Sequence, residues 1–490
     1  MRNGMKWVWR GFSSAVLALA IAGCVDEKIV YRDNPAFVTP PAAAAGFLGY
    51  ADTTDGKTVC GNCHVTQQGK WEQTAHSDAW ATLQASGHAG ASCEGCHTIG
   101  DKGNAGIDAN VGYAATLDSR YHDVQCESCH GAGLTHVTGP ARGQMLASVH
   151  ADTGVAITNG CAECHSGTHH PFVEEWRSSR HGRPNDHTFS STTGAPNASC
   201  RGCHVGQYVL AAWGVNTNYV ERTGATNLAN SEGVTCVVCH DPHGSAFPKQ
   251  LRFAVDTRDP ETNLCAKCHS RRSEPDWSGS RDSPHAPHGP LVFGTAGWWP
   301  PGVEFIETQS THGSDANPRL CAGCHVQHYN VNDAETGAFQ VTVVGHRFLP
   351  IPCVDGNGRP TDDQSCQVTG RSFKGCATGS CHGNSEVAAR SAWIAGDADV
   401  KGLAALLDGM IAQVPSNQFG SGKVTPGRGA KFNSEMAKMP GAAAHNPFLV
   451  KTLLRYSGVA LNQEYGIPLP PGLAPTAGDA QRVKFSGSTN

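Results

Sequence analysis

The stretch KTVCGNCHVTQQGKWEQTAH, residues 57–76, sets the architecture. Cys60 and Cys63 lie three positions apart, His64 follows at once, and a Trp-x4-His step then ends on His76. The same Cys-x-x-Cys-His run recurs at Cys93/Cys96/His97, Cys126/Cys129/His130, Cys161/Cys164/His165 and Cys200/Cys203/His204. It appears again at Cys236/Cys239/His240, Cys265/Cys268/His269 and Cys321/Cys324/His325. A variant, GCATGSCH, puts four residues between Cys376 and Cys381 before His382. At this chain's own Cys and His frequencies, chance places about 0.05 such runs in 490 residues, so eight are a design.

The spacing has a chemical reason. Two thiols bridged by two residues can add to the two vinyl groups on one edge of a haem, and the adjacent imidazole then reaches the iron. Zinc also takes Cys-x-x-Cys pairs, but it combines two half-motifs and needs no histidine after each second cysteine. All eight copies carry that histidine. Covalent haem c is therefore the expected cofactor, with His64, His97, His130, His165, His204, His240, His269 and His325 as iron ligands.

Composition agrees. The 21 Cys and 25 His are far in excess, hydrophobic residues make up 39%, and 58 Gly with 28 Pro favour loops. The expected fold class is mostly α and irregular, with haem-wrapped short helices and loops and little β. Longer helices are expected near the C-terminus, where Val400, Leu403, Leu407, Met410, Ile411 and Val414 keep helical spacing and Asn446-Pro447 reads as a helix start. The segment after Tyr465 reads as a surface strap or a disordered tail.

The first residues, MRNGMKWVWRGFSSAVLALAIAGC, hold a basic start and a short apolar run, the pattern of a signal peptide over 1–23. Ile21-Ala22-Gly23-Cys24 resembles a bacterial lipobox, which would leave Cys24 lipid-modified; an ordinary signal peptide with an incidental cysteine is the plainer alternative. Val25 is not the aspartate of inner-membrane retention, so the outer membrane is expected, at its periplasmic or cell-surface face. Residues 1–23 carry three of the 37 Lys+Arg and no acid, so the remainder holds 34 against 42 Asp+Glu, or −8. No basic run marks a nucleic-acid partner.

From about residue 46 to 465 the chain resembles an exported multihaem c-type cytochrome. Wider Cys-x4-Cys-His sites occur in that class, which implies a ninth haem at Cys376, Cys381 and His382. Cysteine arithmetic then leaves Cys353 and Cys366 as a disulfide pair. By first cysteine the sites form trios, at 60, 93, 126, then 161, 200, 236, then 265, 321, 376. WEQTAH (Trp71, His76) and WRSSRH (Trp176, His181) follow the first site of the first two trios, and His136 and His243 follow the third; WSGSRDSPHAPHG (Trp277, His285, His288) belongs to the looser third trio. These features resemble the superfamily of hydroxylamine oxidoreductase, its tetrahaem cytochrome partner and pentahaem nitrite reductase. SPHAPHG, GHRF and AHNPFLVKTLL resemble segments of cytochromes from metal-respiring bacteria. The expected organisation is a lipid tether over 24–58, three-haem modules over 59–158, 159–262 and 263–385, and a helical segment with tail over 386–490.

Nine proximal histidines leave 16 for the opposite face of nine irons, so few irons should be open. His76, His181, His136, His243, His346 and His445 rank first, followed by His122, His312 and His285. His88, His150, His288 and one of His169/His170 are further candidates, whereas His187 and His328 read as solvent-facing or propionate partners. The tryptophans read as packing residues. The reading favours an electron carrier over an enzyme: respiratory electrons pass through nine mostly bis-histidine haems, among other periplasmic or outer-membrane redox proteins and toward an extracellular metal acceptor. Two alternatives stand beside it. One is a reductase or oxidase of small nitrogen or sulfur compounds, with its open iron at the ninth site or in the third trio. The other is a subunit of a cytochrome complex.

Overall fold

The structure, a computed structural model, describes residues 44–100, 102–103, 111–139, 144–152, 160–182, 186–215, 218–276, 283–306, 310–378, 381–420 and 422–485. The signal segment, Cys24 and Trp277 lie outside the described residues. Regular structure is short and helical through the first two thirds of the chain, because the attachment runs themselves coil. Cys60–Asn62 and Cys161–Glu163 are 3-10 turns, while Cys126–His130, Arg201–His204 and Leu320–His325 are single α-helical turns. A coil brings residues i and i+3 onto one face, which points both thiols of a run to the same side.

Two slightly longer helices, α1 (Val65–Trp71) and α2 (Phe172–Ser178), repeat one frame. The indole N–H of Trp71 donates to the Val124 carbonyl at 2.9 Å, and that of Trp176 to the Val234 carbonyl at 2.8 Å. The amide of Val124 in turn donates to His76 O, and that of Val234 to His181 O. Each valine stands two residues before the first cysteine of its trio's third site. The Trp-x4-His repeat is thus also a repeat of hydrogen bonds, in which the buried tryptophan ties the first site of a trio to the third.

Strands are few. Among the described residues, β1 (Tyr50–Asp52) pairs with β2 (Lys57–Thr58), β3 (Val303–Phe305) with β6 (Val483–Phe485), and β4 (Tyr329–Asn332) with β5 (Phe339–Val343), all antiparallel. In the last ribbon Tyr329 faces Val343 and Asn332 faces Phe339. Cys353 and Cys366 form a disulfide in the loop that follows.

The largest apolar core lies at the C-terminal end. It joins α3 (Glu386–Ile411), α4 (Pro426–Ala437) and α5 (Pro447–Tyr465) to Leu291 of a short helix, Ala296 and Phe305 of β3. Each helix starts on a side-chain cap: Ser385 accepts from Ala388 N–H, Thr425 from Arg428 N–H and Asn446 from Leu449 N–H, the last two with proline at the first turn. Gly466 ends α5 with φ +68°, a left-handed cap that glycine adopts without strain. Val400, Leu403, Leu407 and Met410 fall on the buried face of α3, as their spacing predicts.

Two segments differ from expectation. Residues 466–485 are neither a loose strap nor a tail: Leu473 and Val483 enter the core, and β6 pairs with β3. Buried Asp479 fastens this segment by accepting from the Thr452 hydroxyl and pairing with Arg455. The second half of the expected tether also folds, because Leu48 and Gly49 donate their amides to the buried Glu127 carboxylate.

Asn433, 1% exposed, locks the C-terminal core. Its Oδ1 accepts Trp298 N–H at 2.8 Å, and its Nδ2 donates to Trp298 O and to the Ser457 hydroxyl. Asn433→Ala strands these partners and is expected to cost about 3 kcal/mol; denaturant unfolding followed by far-ultraviolet dichroism measures it.

Candidate haem sites

Numbering the nine attachment runs one to nine along the chain, their proximal rings share an orientation device. A carbonyl oxygen can only accept a hydrogen bond, so an imidazole Nδ1 beside one must carry the hydrogen and leave Nε2 as the free lone pair. His97 Nδ1 lies 2.8 Å from Ala79 O, His130 Nδ1 2.7 Å from Met145 O, His240 Nδ1 2.7 Å from Lys249 O and His325 Nδ1 2.8 Å from Phe348 O. Two expected distal ligands do the same: His346 uses Val344 O at 3.1 Å, and His312 uses Ala444 O.

Opposite the proximal rings stand other rings at one recurrent distance. Two iron–imidazole bonds of about 2 Å, plus a ring radius on each side, predict about 6.3 Å between centroids. His64 and His136 are 6.4 Å apart, His130 and His243 6.1 Å, His165 and His76 6.1 Å, and His204 and His285 6.2 Å. His240 and His346 are 6.4 Å apart, His269 and His181 6.2 Å, His325 and His445 6.3 Å, and His382 and His312 6.2 Å. Eight of the nine sites therefore hold two imidazoles at the separation an iron between them requires. Burial favours the neutral, metal-binding form at three of these rings: it lowers His165 and His181 to about 4 and His269 to about 3.

The ninth site, with its wide loop, is one of the eight. His382 faces His312, so the geometry does not single it out as an open iron. Nor do the other third-trio sites stand open: His269 has His288 at 5.9 Å in addition to His181, and His325 has His445. The exception is site two. All 25 histidines are among the described residues, and His97 has none opposite at this spacing. His122, expected as a ligand, instead stacks on Trp80 at 4.0 Å and against Tyr113, held there by a backbone bridge to Thr98. His169 stacks on Phe339, and His150 is held between Glu221 and Glu232. Exposed His170 remains within electrostatic reach of His97.

Thiols of different sites meet in an order that sequence does not reveal. Cys60 lies beside Cys126, Cys96 beside Cys164, Cys161 beside Cys236, Cys203 beside Cys268 and Cys265 beside Cys321. Cys129 is within electrostatic range of Cys161, Cys239 of Cys265, and Cys324 of Cys376 and Cys381. The sites thus form a line, one–three–four–six–seven–eight–nine, with site two branching at four and site five at seven.

Residues 59–131 match the family of cytochrome c554 and c-prime, and residues 229–274 match the doubled CXXCH motif. These segments carry the attachment pattern of multihaem c-type cytochromes. Among solved structures, the outer cell wall cytochrome OcwA is 18% identical, with 75% of each chain covered and a TM-score of 0.48. An undecahaem cytochrome from the S-layer of Carboxydothermus ferrireducens is 19% identical over 71% of this chain and 51% of its own, with a TM-score of 0.36. No curated protein matches the chain. Among the described residues no helix is long and apolar enough to cross a membrane.

Intact-mass measurement of the holoprotein is expected to give nine haems. The double variant C376S/C381S is expected to give eight, and eight haems in the unaltered chain would remove site nine from the set.

Proposed function

We propose that this chain is an electron relay in which nine covalent haems, eight of them ligated by two histidines, hand electrons along the line from site one to site nine. The observation that carries the reading is the coincidence of two patterns: paired imidazoles at one separation, and contacts between the thiols of successive sites. A haem with histidine on both faces has no position for substrate and stays in one coordination state as it gains or loses an electron, which suits transfer. When bound, haem supplies the redox chemistry; the protein holds each ring pair and encloses it. Respiratory electrons at the outer membrane, other cytochromes as partners and an extracellular metal acceptor complete the proposal, with lipidation at Cys24 as the anchor. Chemically reduced holoprotein mixed with excess chelated ferric iron is expected to lose its reduced absorption band at all nine haems. A fraction that remains reduced would break the relay.

A second reading rests on site two. His97 has its Nδ1 tied in the ligand orientation, yet no histidine stands at ligand distance on the other side. A haem there would expose one face to a small ligand, so the branch at site four would end in a reactive iron for a small nitrogen or sulfur compound. The reduced holoprotein is expected to bind about one carbon monoxide per chain, read from the optical spectrum, and His170→Ala is expected to leave that number unchanged. No binding would remove the second reading and leave the relay standing.

A further inference from the structure

Helix α2 touches three sites at once. At its start Phe172 meets the His165 ring of site four edge-on at 5.6 Å and the His346 ring of site six at 5.0 Å. Trp176 anchors the chain ahead of site six, and the turn beyond the helix delivers His181 to site seven. Between these two aromatic residues stands Glu175, an acid only 5% exposed. Its carboxylate leaves its own helix altogether. Oε1 accepts Val344 N–H at 2.9 Å, and Oε2 accepts His346 N–H at 2.7 Å.

The turn it holds is one that needs holding. Gly345 has φ +77°, and a Cβ there would come within 2.4 Å of the Gln327 nitrogen. Across the same turn His346 Nδ1 closes onto Val344 O, which leaves Nε2 as the free lone pair, with the His240 ring 6.4 Å away. Two backbone amides and one ring orientation thus depend on a single carboxylate far away in sequence. Hydrogen bonds to an ionised acceptor are the strong kind, and a carboxylate offers a separate oxygen to each of two converging N–H groups. An amide in its place would turn an N–H₂ against one of them.

We propose that Glu175 is the positioning residue for the sixth ligand of site six, the site that joins four to seven in the line of thiol contacts. The inference rests on the pairing of His346 with His240. Glu175 does not touch the iron; it acts by fixing the turn that carries His346.

The test uses the full holoprotein in three variants, E175A, E175Q and H346A, with haem number by mass and spin state by electron paramagnetic resonance. H346A is expected to convert one low-spin haem to high spin and to raise carbon monoxide binding by one per chain over the unaltered protein. E175A is expected to reproduce both changes at unaltered haem number, and E175Q to give a partial conversion, since it keeps one acceptor. A merely structural role would lower the melting temperature of E175A and leave its spin state and carbon monoxide count alone, which overturns the proposal. An H346A variant that stays fully low-spin would instead disprove the pairing, and the proposal with it.

Discussion

Two imidazoles can share an iron only if their centroids are held a little over 6 Å apart with Nε2 of each turned inward. Most of this structure serves that constraint. Carbonyls of Ala79, Met145, Lys249 and Phe348 take the Nδ1 hydrogens of four proximal rings; Met145 and Phe348 lie in loops, Lys249 in a 3-10 turn and Ala79 at the first residue of a short helix.

The distribution of apolar side chains fits it too. The C-terminal helices build an ordinary core from Leu407, Met410, Phe432, Met436, Leu449 and their neighbours. The modules before them have only small clusters, such as Phe47, Ile99, Val111 and Tyr121, or Ala151, Ala162, Val173 and Trp176. Clusters of that size cannot hold a few hundred residues in place, and the gaps between them are where the paired histidines stand. The interior of those modules is completed by the haems, and their backbone is pinned by buried polar groups instead. Glu127 holds the Leu48, Gly49 and Gly133 amides, and Glu175 holds those of Val344 and His346.

The attachment motif is legible in sequence because it is local: at the eight Cys-x-x-Cys-His runs thiol, thiol and imidazole fall within about one turn. The two Trp-x4-His steps were legible for a related reason, and in the structure both do the same thing, with His76 and His181 each facing the first site of the next trio. Pairing elsewhere was not legible. His136 and His243 follow the third site of their trios in similar ways, yet His136 faces site one of its own trio and His243 faces site three of the trio before. Proximity misled in the case of His122, four residues from Cys126, because the bridge to Thr98 turns its ring onto Trp80. The folded tail was missed because Leu473 and Val483 are isolated apolar residues among prolines and glycines, with no periodicity to mark them.

The exchange of ligands across module boundaries has a consequence for how the chain becomes stable. His76 of the first trio's stretch faces His165 of the second, and His243 of the second faces His130 of the first; His181 of the second faces His269 of the third, and His285 and His346 of the third face His204 and His240 of the second. His445, ahead of the last long helix, faces His325. Under the proposed ligand set, no trio would complete all its irons from its own stretch. Among the described residues the C-terminal core holds the largest apolar cluster, and it presents His445 from a short helical turn, Ala442–His445, ahead of α5. A repeat whose ligands stayed within each unit would have been easier to fold, but its haems would lack the interlocking that brings thiols of successive sites into contact.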